Sequence, residues 1–169
     1  MSKNALQKIV LSGVFAAIIA TVTYFVIPVP ITHGYVNLGD CFVILCALVL
    51  GPTYGFLAAG IGSCLADLLT GFFVYAPATF IIKGLMVLAV YFIAGKMKER
   101  FSIIRTVLGA LVAETVMVLG YLLFELAIYG GGAFTSIPGN CIQAIFGGCA
   151  GIILSSVLFK TSLFSKILK

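Results

Sequence analysis

The stretch from Pro77 to Gly95 reads PATFIIKGLMVLAVYFIAG and contains a single charged residue, Lys83. Its length is close to the ~20 apolar residues with which an α-helix crosses the hydrocarbon core of a bilayer. An ionisable side chain near the centre of such a helix costs ~2.5–3.5 kcal/mol on insertion scales, so it needs a partner or a function. The stretch therefore predicts a membrane-spanning helix that carries a buried polar group.

The remainder of the chain has the same apolar character. Of its 169 residues, 62% are hydrophobic and 9% are charged, and the mean hydropathy is +1.25. An average globular domain has about 25% charged residues, which cover its water-facing surface. This composition excludes an ordinary soluble enzyme and favours one integral membrane domain over residues 1–169.

Apart from Lys83, the positive charges lie in three short clusters, which are typical of cytoplasmic loops and termini under the positive-inside rule. The members of these clusters are Lys3 and Lys8; Lys96, Lys98, Arg100 and Arg105; and Lys160, Lys166 and Lys169. Basic residues at these positions are attracted to the anionic headgroups of the bilayer. A nucleic-acid partner is not expected, despite the net charge of +5.

Glycine and proline residues divide the chain into spans, and an even number of crossings separates the three basic clusters. Three breaks divide the first half into four spans, and one break divides the last third into two. The predicted fold is therefore an all-α membrane protein with six transmembrane helices and cytoplasmic N- and C-termini. The approximate spans are 8–27, 36–50, 55–71, 77–95, 104–128 and 138–159. The second span is short for a bilayer, so it starts earlier or is partly shielded by protein.

Polar residues collect at one predicted depth, toward the outer ends of the spans. The ionisable residues within or at the ends of the spans are Asp40, Asp67, Lys83, Glu114 and Glu125, and the amides Asn140 and Gln143 lie in the first outer turn of span six. On span five, Glu114, Tyr121 and Glu125 share one helical face. The pattern predicts a polar cavity that opens outward, in which Lys83 offsets one or more carboxylates.

Other interpretations of these residues remain open. Intramembrane polar groups also hold helices together without binding a ligand. Glu114 lies deepest, where it would either reach the cavity floor or pair elsewhere. His33, in the outer loop from Pro28 to Tyr35, is a further candidate for ligand contact, although it is also interpretable as an ordinary loop residue.

Two further features concern docking and metal binding. Ala16 and Ala20 are one turn apart on span one, and small residues at this spacing let helices approach closely. The cysteines have no metal-binding spacing, and the chain has one histidine, so neither a metal nor a cofactor is expected. The cysteines, interpreted as small buried hydrophobic residues, are Cys41, Cys46, Cys64, Cys141 and Cys149.

Several motifs resemble those of the S components of energy-coupling factor (ECF) transporters, and they follow one another in the same order over nearly the whole chain. These are Val36-Asn-Leu-Gly-Asp40, Gly51-Pro-Thr-Tyr-Gly55, Gly60-Ile-Gly-Ser63 with Ala66-Asp67, Ala76-Pro-Ala-Thr-Phe-Ile-Ile-Lys-Gly84, and Pro138-Gly-Asn-x-x-Gln143. The motif that contains Lys83 is fairly specific to this family. Each of the other motifs is weak alone, and their shared order strengthens the resemblance.

The resemblance implies a six-helix membrane subunit that captures a vitamin from outside the cell. Such a subunit docks on a transmembrane T component that carries two ABC-type ATPases, in the bacterial cytoplasmic membrane. It implies T-component contacts at Ala16 and Ala20, a lid in the first outer loop, and most ligand contacts on helices four to six. The candidate substrate-binding residues are His33, Asp40, Asp67, Lys83, Tyr121, Glu125, Asn140 and Gln143.

Within this family, the sequence looks most like the branch for pyridoxine or hydroxymethylpyrimidine, which is often labelled generically as riboflavin-type. Alternatives are an S component for riboflavin, pantothenate or folate, and an autonomous proton-coupled carrier that uses Glu114 and Asp67. The sequence has no P-loop motif, so separate ATPase subunits would have to supply the energy. A membrane enzyme is disfavoured because no catalytic set of residues emerges.

Overall fold

The computed structural model describes residues 3–25, 27–29, 34–95 and 102–160. These residues form six α-helices, one 3₁₀ helix and one short hairpin. The α-helices are α1 (Lys3–Tyr24), α2 (Gly39–Leu50), α3 (Pro52–Thr70), α4 (Ala76–Ala94), α5 (Ile103–Tyr129) and α6 (Ile137–Lys160). The helices follow the predicted spans within a few residues at most ends, because the glycines and prolines that mark the breaks do interrupt the helices.

The loop between the first two helices contains extended structure, which the all-α prediction did not include. Strand β1 (Ile27–Val29) pairs antiparallel with β2 (Gly34–Val36), and Ile27 lies opposite Val36. Two β-branched residues and a proline in β1 suit an extended backbone better than a helical one. As a result, α2 begins at Gly39 rather than at residue 36.

Helix α2 is the short central helix of the bundle. It has 12 residues, of which ten are buried, and it packs against α1, α3, α4 and α6. At 1.5 Å per residue it extends about 18 Å, well short of the hydrocarbon thickness. The surrounding helices therefore shield α2. Shielding by protein was one of the two explanations that the sequence analysis gave for this short span, and an earlier start was the other.

Glycine allows the abrupt connection between α2 and α3. Gly51 has φ 78° and separates the last residue of α2 from Pro52, the first residue of α3. L-residues with side chains rarely adopt this backbone conformation. Pro52 has no N–H group to leave unpaired at the first position of a helix. The two helices consequently reverse direction over a single residue.

Four stretches of the described residues are long and apolar enough to cross a membrane. They are Ala5–Tyr24, Pro52–Thr70, Ala76–Ala94 and Ile103–Lys160. The last stretch contains α5, the 3₁₀ helix Gly130–Ser136 and α6. The fold is that of a helical, multi-pass membrane protein.

Candidate functional site

Asp40 is the centre of a buried polar network at one end of the bundle. It lies in the first turn of α2 and is fully buried. Lys83 of α4 donates to Asp40 Oδ1 and forms an ion pair with it. Gln143 of α6 donates through Nε2 to Asp40 Oδ2 at 2.7 Å. One carboxylate thus joins α2, α4 and α6, and Lys83 offsets a carboxylate as the sequence led us to expect.

Asn37 extends this network to the chain segment that follows the hairpin. Its Nδ2 donates to Gln143 Oε1 at 3.2 Å, and its backbone N–H reaches the same oxygen at 3.4 Å. Its own Oδ1 accepts from the backbone N–H of Gly39 at 2.9 Å. The side chain of Gln143 therefore connects the segment before α2 to Asp40 through hydrogen bonds.

Glu125 organises a second polar cluster near the end of α5. Tyr75 donates its hydroxyl to Glu125 Oε1 at 3.2 Å, and Ser136 donates to Oε2. Burial raises the pKa of the Tyr75 phenol, with smaller contributions from Tyr129 and Glu125, so this phenol keeps its proton and remains a donor. The two donors hold a buried carboxylate between the start of α4 and the 3₁₀ helix.

Tyr121 lies between the two clusters. Its hydroxyl and that of Thr79 are 3.0 Å apart and share a hydrogen bond. The Lys83 ammonium lies 5.6 Å from the centroid of the Tyr121 ring, within the range of a cation–π interaction. Helices α4 and α5 thus present aromatic, hydroxyl and ammonium groups next to one another.

Glu114 lies deeper on α5, close to Asp40 but without its hydrogen bonds. A Cβ added to Gly147 of α6 would be 2.8 Å from Asp40 Cβ and 3.6 Å from Glu114 Oε1. Glycine is therefore needed here, because any side chain would push α6 away from α2 and α5. The close approach brings two carboxylates to either side of one glycine.

The remaining candidate residues occupy different positions. Asp67 is buried in the last turn of α3, and Asn140 is half-buried in the first turn of α6. Of the eight candidates, Asp40, Lys83 and Gln143 are in direct contact, and Tyr121 lies against Lys83. Glu125 belongs to the second cluster. His33 lies outside the described residues.

The sequence interpretation missed four polar partners: Asn37, Tyr75, Thr79 and Ser136. Asn37 and Thr79 lie within motifs that also contain Asp40 and Lys83, so their proximity to those residues was a usable signal. Tyr75 and Ser136 lie in the turns that precede α4 and α6. They reach Glu125 only because the helices fold back, and no local spacing indicates that contact.

The predicted docking residues Ala16 and Ala20 are half-buried on α1. A Cβ on Gly62 of α3 would meet the Ala16 backbone oxygen at 2.5 Å. Ala16 thus borders the close contact between α1 and α3, while its neighbour Ala17 is exposed. Whether this edge of α1 contacts a T component stays a prediction.

A cavity lies at the same end of the bundle as the polar network, between the ends of α1 and α3 and the residue that precedes α2. It has a volume of about 740 Å³ and is lined by Val22, Tyr24, Phe25, Leu38, Leu69, Thr70 and Phe72. This volume lies within the range of about 300–1,000 Å³ that small-molecule sites occupy. The lining is mainly apolar, and Leu38 connects it to Asn37 and Gly39 of the network.

These features define a class: a helical membrane protein with a charged, hydrogen-bonded interior at one end. Residues 3–160 match the sequence family described as ECF-type riboflavin transporter, S component. The chain is 38% identical over 146 residues to an "Uncharacterized protein in gap 3'region" of Pyrococcus woesei, covering 85% of this chain and 95% of the relative.

The fold also resembles a solved structure described as "Structure and mechanism of the S component of a bacterial ECF transporter". The TM-score is 0.76 at 22% sequence identity, over 94% of this chain and 99% of the other. The chain belongs to the ECF-type riboflavin transporter S component family. It is a transporter subunit rather than an enzyme.

Proposed function

We propose that the protein captures a small vitamin from outside the cell and that the network around Asp40 forms part of its binding site. The observation that carries this proposal is the convergence of Asp40, Lys83 and Gln143 from three helices. Convergent polar groups in an otherwise apolar interior are typical of sites that bind a polar solute. In a membrane, such groups face the protein interior and mark substrate pathways.

The topology that we propose has six crossings, with both termini in the cytoplasm and the polar network near the outer face. The apolar stretch Ile103–Lys160 would cross twice, through α5 and α6, and the shielded helix α2 would complete the count. The positive charges near the two ends of the chain and before α5 favour this orientation. The membrane would be the bacterial cytoplasmic membrane.

We propose a pyridoxine-type vitamer or hydroxymethylpyrimidine as the solute. A hydroxymethyl or amino group would donate to the carboxylates of Asp40 or Glu125, and Tyr121 would stack on the ring. Riboflavin is the main alternative, since the matching family is described by that vitamin. Pantothenate and folate carry carboxylates, which the surplus of buried acidic groups disfavours.

Uptake would require partners, namely a transmembrane T component and two ABC-type ATPase subunits. Ala16 and Ala20 would supply the contact with the T component. Close approach of another helix at this edge of α1 is compatible with the small size of both residues. The ATPases would supply the energy for release of the solute into the cell.

Binding titrations of the purified protein with pyridoxine, hydroxymethylpyrimidine and riboflavin test the solute. Tight binding of one of the first two, weakened by Asn140→Ala, supports the proposal. Tight binding of riboflavin alone would agree with the transporter function but would identify riboflavin as the solute. Micromolar or weaker binding to all would reject vitamin capture at this site.

A second candidate function, autonomous proton-coupled transport, is favoured by Glu114, a buried carboxylate whose oxygens have no hydrogen-bond partner among the described residues. Intramembrane carboxylates of this kind occur in proton relays. Proteoliposomes that contain this protein alone separate the two functions. Accumulation of the vitamer without ATPase subunits would favour the autonomous carrier, whereas the importer proposal expects binding without accumulation.

A further inference from the structure

A second cavity lies between α5 and α6, away from the Asp40 hydrogen bonds. Its volume is about 510 Å³, which is large enough for a small organic molecule. Most of its wall is aliphatic, including Leu111 and Ile145. The polar residues of its lining are Glu114, Thr115, Cys141 and Cys149.

Glu114 is the charged residue of this lining. Its side chain is 6% exposed, and neither carboxylate oxygen has a hydrogen-bond partner in the part of the chain that the structure describes. The oxygens lie beside two glycines, since a Cβ on Gly147 or Gly148 would be 3.6 or 3.7 Å from Oε1. A buried acceptor without a donor is costly, so the position is suited to a partner that arrives with a ligand.

Lys83, the nearby cation, forms no hydrogen bond with Glu114 in the described part of the chain. It donates to Asp40, which also accepts a hydrogen bond from Gln143. The Thr115 hydroxyl donates to the backbone oxygen of Leu111 at 2.8 Å, so it does not serve Glu114 either. The lining of the cavity therefore includes an acceptor group for which the described residues supply no donor.

We propose that the α5–α6 cavity binds a mainly apolar molecule that carries a cationic group with two N–H donors. The aliphatic wall would pack against the apolar body, and the two oxygens of Glu114 would accept the paired donors. Both oxygens are buried, so the carboxylate would have to turn toward the cavity by rotation about the bonds of the Glu114 side chain when the ligand binds.

This site goes beyond the proposed capture of a vitamin, because its lining does not include Asp40, Lys83 or Gln143. Ligand binding here can therefore be measured whether or not a vitamin binds at the outer network. An absence of binding at one site therefore does not contradict the proposal for the other site.

Benzamidine is a suitable probe, because its ring is flat and apolar and its amidinium presents two N–H donors to a carboxylate. Cys141 and Cys149 are exposed and line the cavity, whereas Cys64 lies on α3 outside it. The purified full chain in detergent is treated with N-ethylmaleimide at increasing benzamidine concentration. Mass spectrometry of the peptides then gives the modification rate at each cysteine.

We expect benzamidine to slow the modification of Cys141 and Cys149 but not of Cys64. Glu114→Gln should weaken this protection by about tenfold or more, the loss expected when charge-assisted hydrogen bonds are removed. Ser63→Ala is a matched control, since it also removes a buried polar group without a partner among the described residues but lies outside the cavity. Protection should persist in that variant.

Benzamide keeps the ring and lacks the positive charge, so it tests the proposal without any variant. Protection by benzamide at concentrations about tenfold higher or more would agree with recognition by Glu114. Equal protection by benzamide and benzamidine, or no protection by benzamidine at millimolar concentration, would overturn the proposal. Equal slowing at Cys64 would also overturn it, because the effect would not be confined to the cavity.

Discussion

Lys83 on α4 forms an ion pair with Asp40 at the start of α2, and the two side chains are 3% and 1% exposed. The pair lies in the interior of a membrane protein, where water does not compensate either charge. Gln143 donates a hydrogen bond to the second oxygen of Asp40, so both carboxylate oxygens have a partner. The pair is thus both a link between helices and the centre of the proposed solute site.

Replacing Lys83 by methionine should destabilise the protein strongly. Removal of one partner of a buried ion pair leaves the other charge uncompensated, at a cost of about 3–5 kcal/mol. The double variant Lys83→Met with Asp40→Asn should recover part of this loss, because no charge then remains unpaired. Chemical unfolding in detergent, carried out as a double-mutant cycle, measures the difference.

The control for this prediction is Lys8→Met on α1. Lys8 is exposed and lies 5.7 Å from the Tyr54 ring, so its loss should change the free energy of unfolding by at most about 1 kcal/mol. Equal effects of the two lysine substitutions would contradict the assignment of Lys83 to a buried pair.

Glu125→Gln should weaken solute binding and leave membrane insertion intact. Glutamine keeps the volume of the side chain, but its amide nitrogen does not accept the hydrogen bond that Tyr75 or Ser136 now donates. We expect the affinity for the solute to fall by about tenfold, equivalent to about 1.4 kcal/mol. Titration of the variant, with its yield in isolated membranes as the insertion control, checks both parts.

Tyr75→Phe separates a structural role of Glu125 from a direct contact with the solute. This substitution removes one donor to Glu125 and retains the carboxylate. If Glu125 accepts from the solute, binding should be weakened less in Tyr75→Phe than in Glu125→Gln. Equal losses of solute affinity in the two variants would indicate that Glu125 stabilises the turn before α4 and does not contact the solute.

Gly62→Ala should disturb the contact between α1 and α3. The new Cβ would be 2.5 Å from the backbone oxygen of Ala16, and backbone cannot move aside as a flexible side chain can. Overpacking of this kind costs about 1–3 kcal/mol. Gly13→Ala is the matched control, because nothing lies within 4 Å of its added Cβ. Thermal unfolding should show a loss in the first variant and none in the second.

Ala16→Trp should preserve solute binding and abolish complex formation and uptake. A large side chain at the predicted docking edge would prevent close approach of the T component. Val14→Trp adds the same bulk on a different side of α1, where Val14 is 48% exposed, and it should leave uptake intact. Co-purification with the T component and vitamin uptake are the measurements, and normal uptake by Ala16→Trp would refute the docking assignment.

The helices were predictable from the sequence because apolar runs and their breaks are local features. Pro52 follows Gly51, and Gly71 ends α3, so each boundary is marked where it occurs. The hairpin was not predictable in the same way. Strands of three residues are too short for a periodic pattern, and the cross-strand pair Ile27–Val36 forms only when the chain reverses.

The common depth of the polar residues stays a prediction, and their partners were only partly predictable from the sequence. Lys83 was expected to offset a carboxylate, yet nothing local distinguishes Asp40 from Glu125 as its partner. That choice depends on the packing of α2 against α4. Such packing is a property of the tertiary structure, and single-sequence spacing does not encode it.

The central claim, that this interior holds a small solute taken from outside, is tested most directly by mass spectrometry of the molecule that co-purifies with the protein. We predict one bound vitamer per chain, of the pyridoxine or hydroxymethylpyrimidine type, which is lost from the Asp40→Asn variant. Recovery of the folded protein without any bound small molecule, together with no tight binding of these vitamers or of riboflavin when they are added back, would contradict the claim.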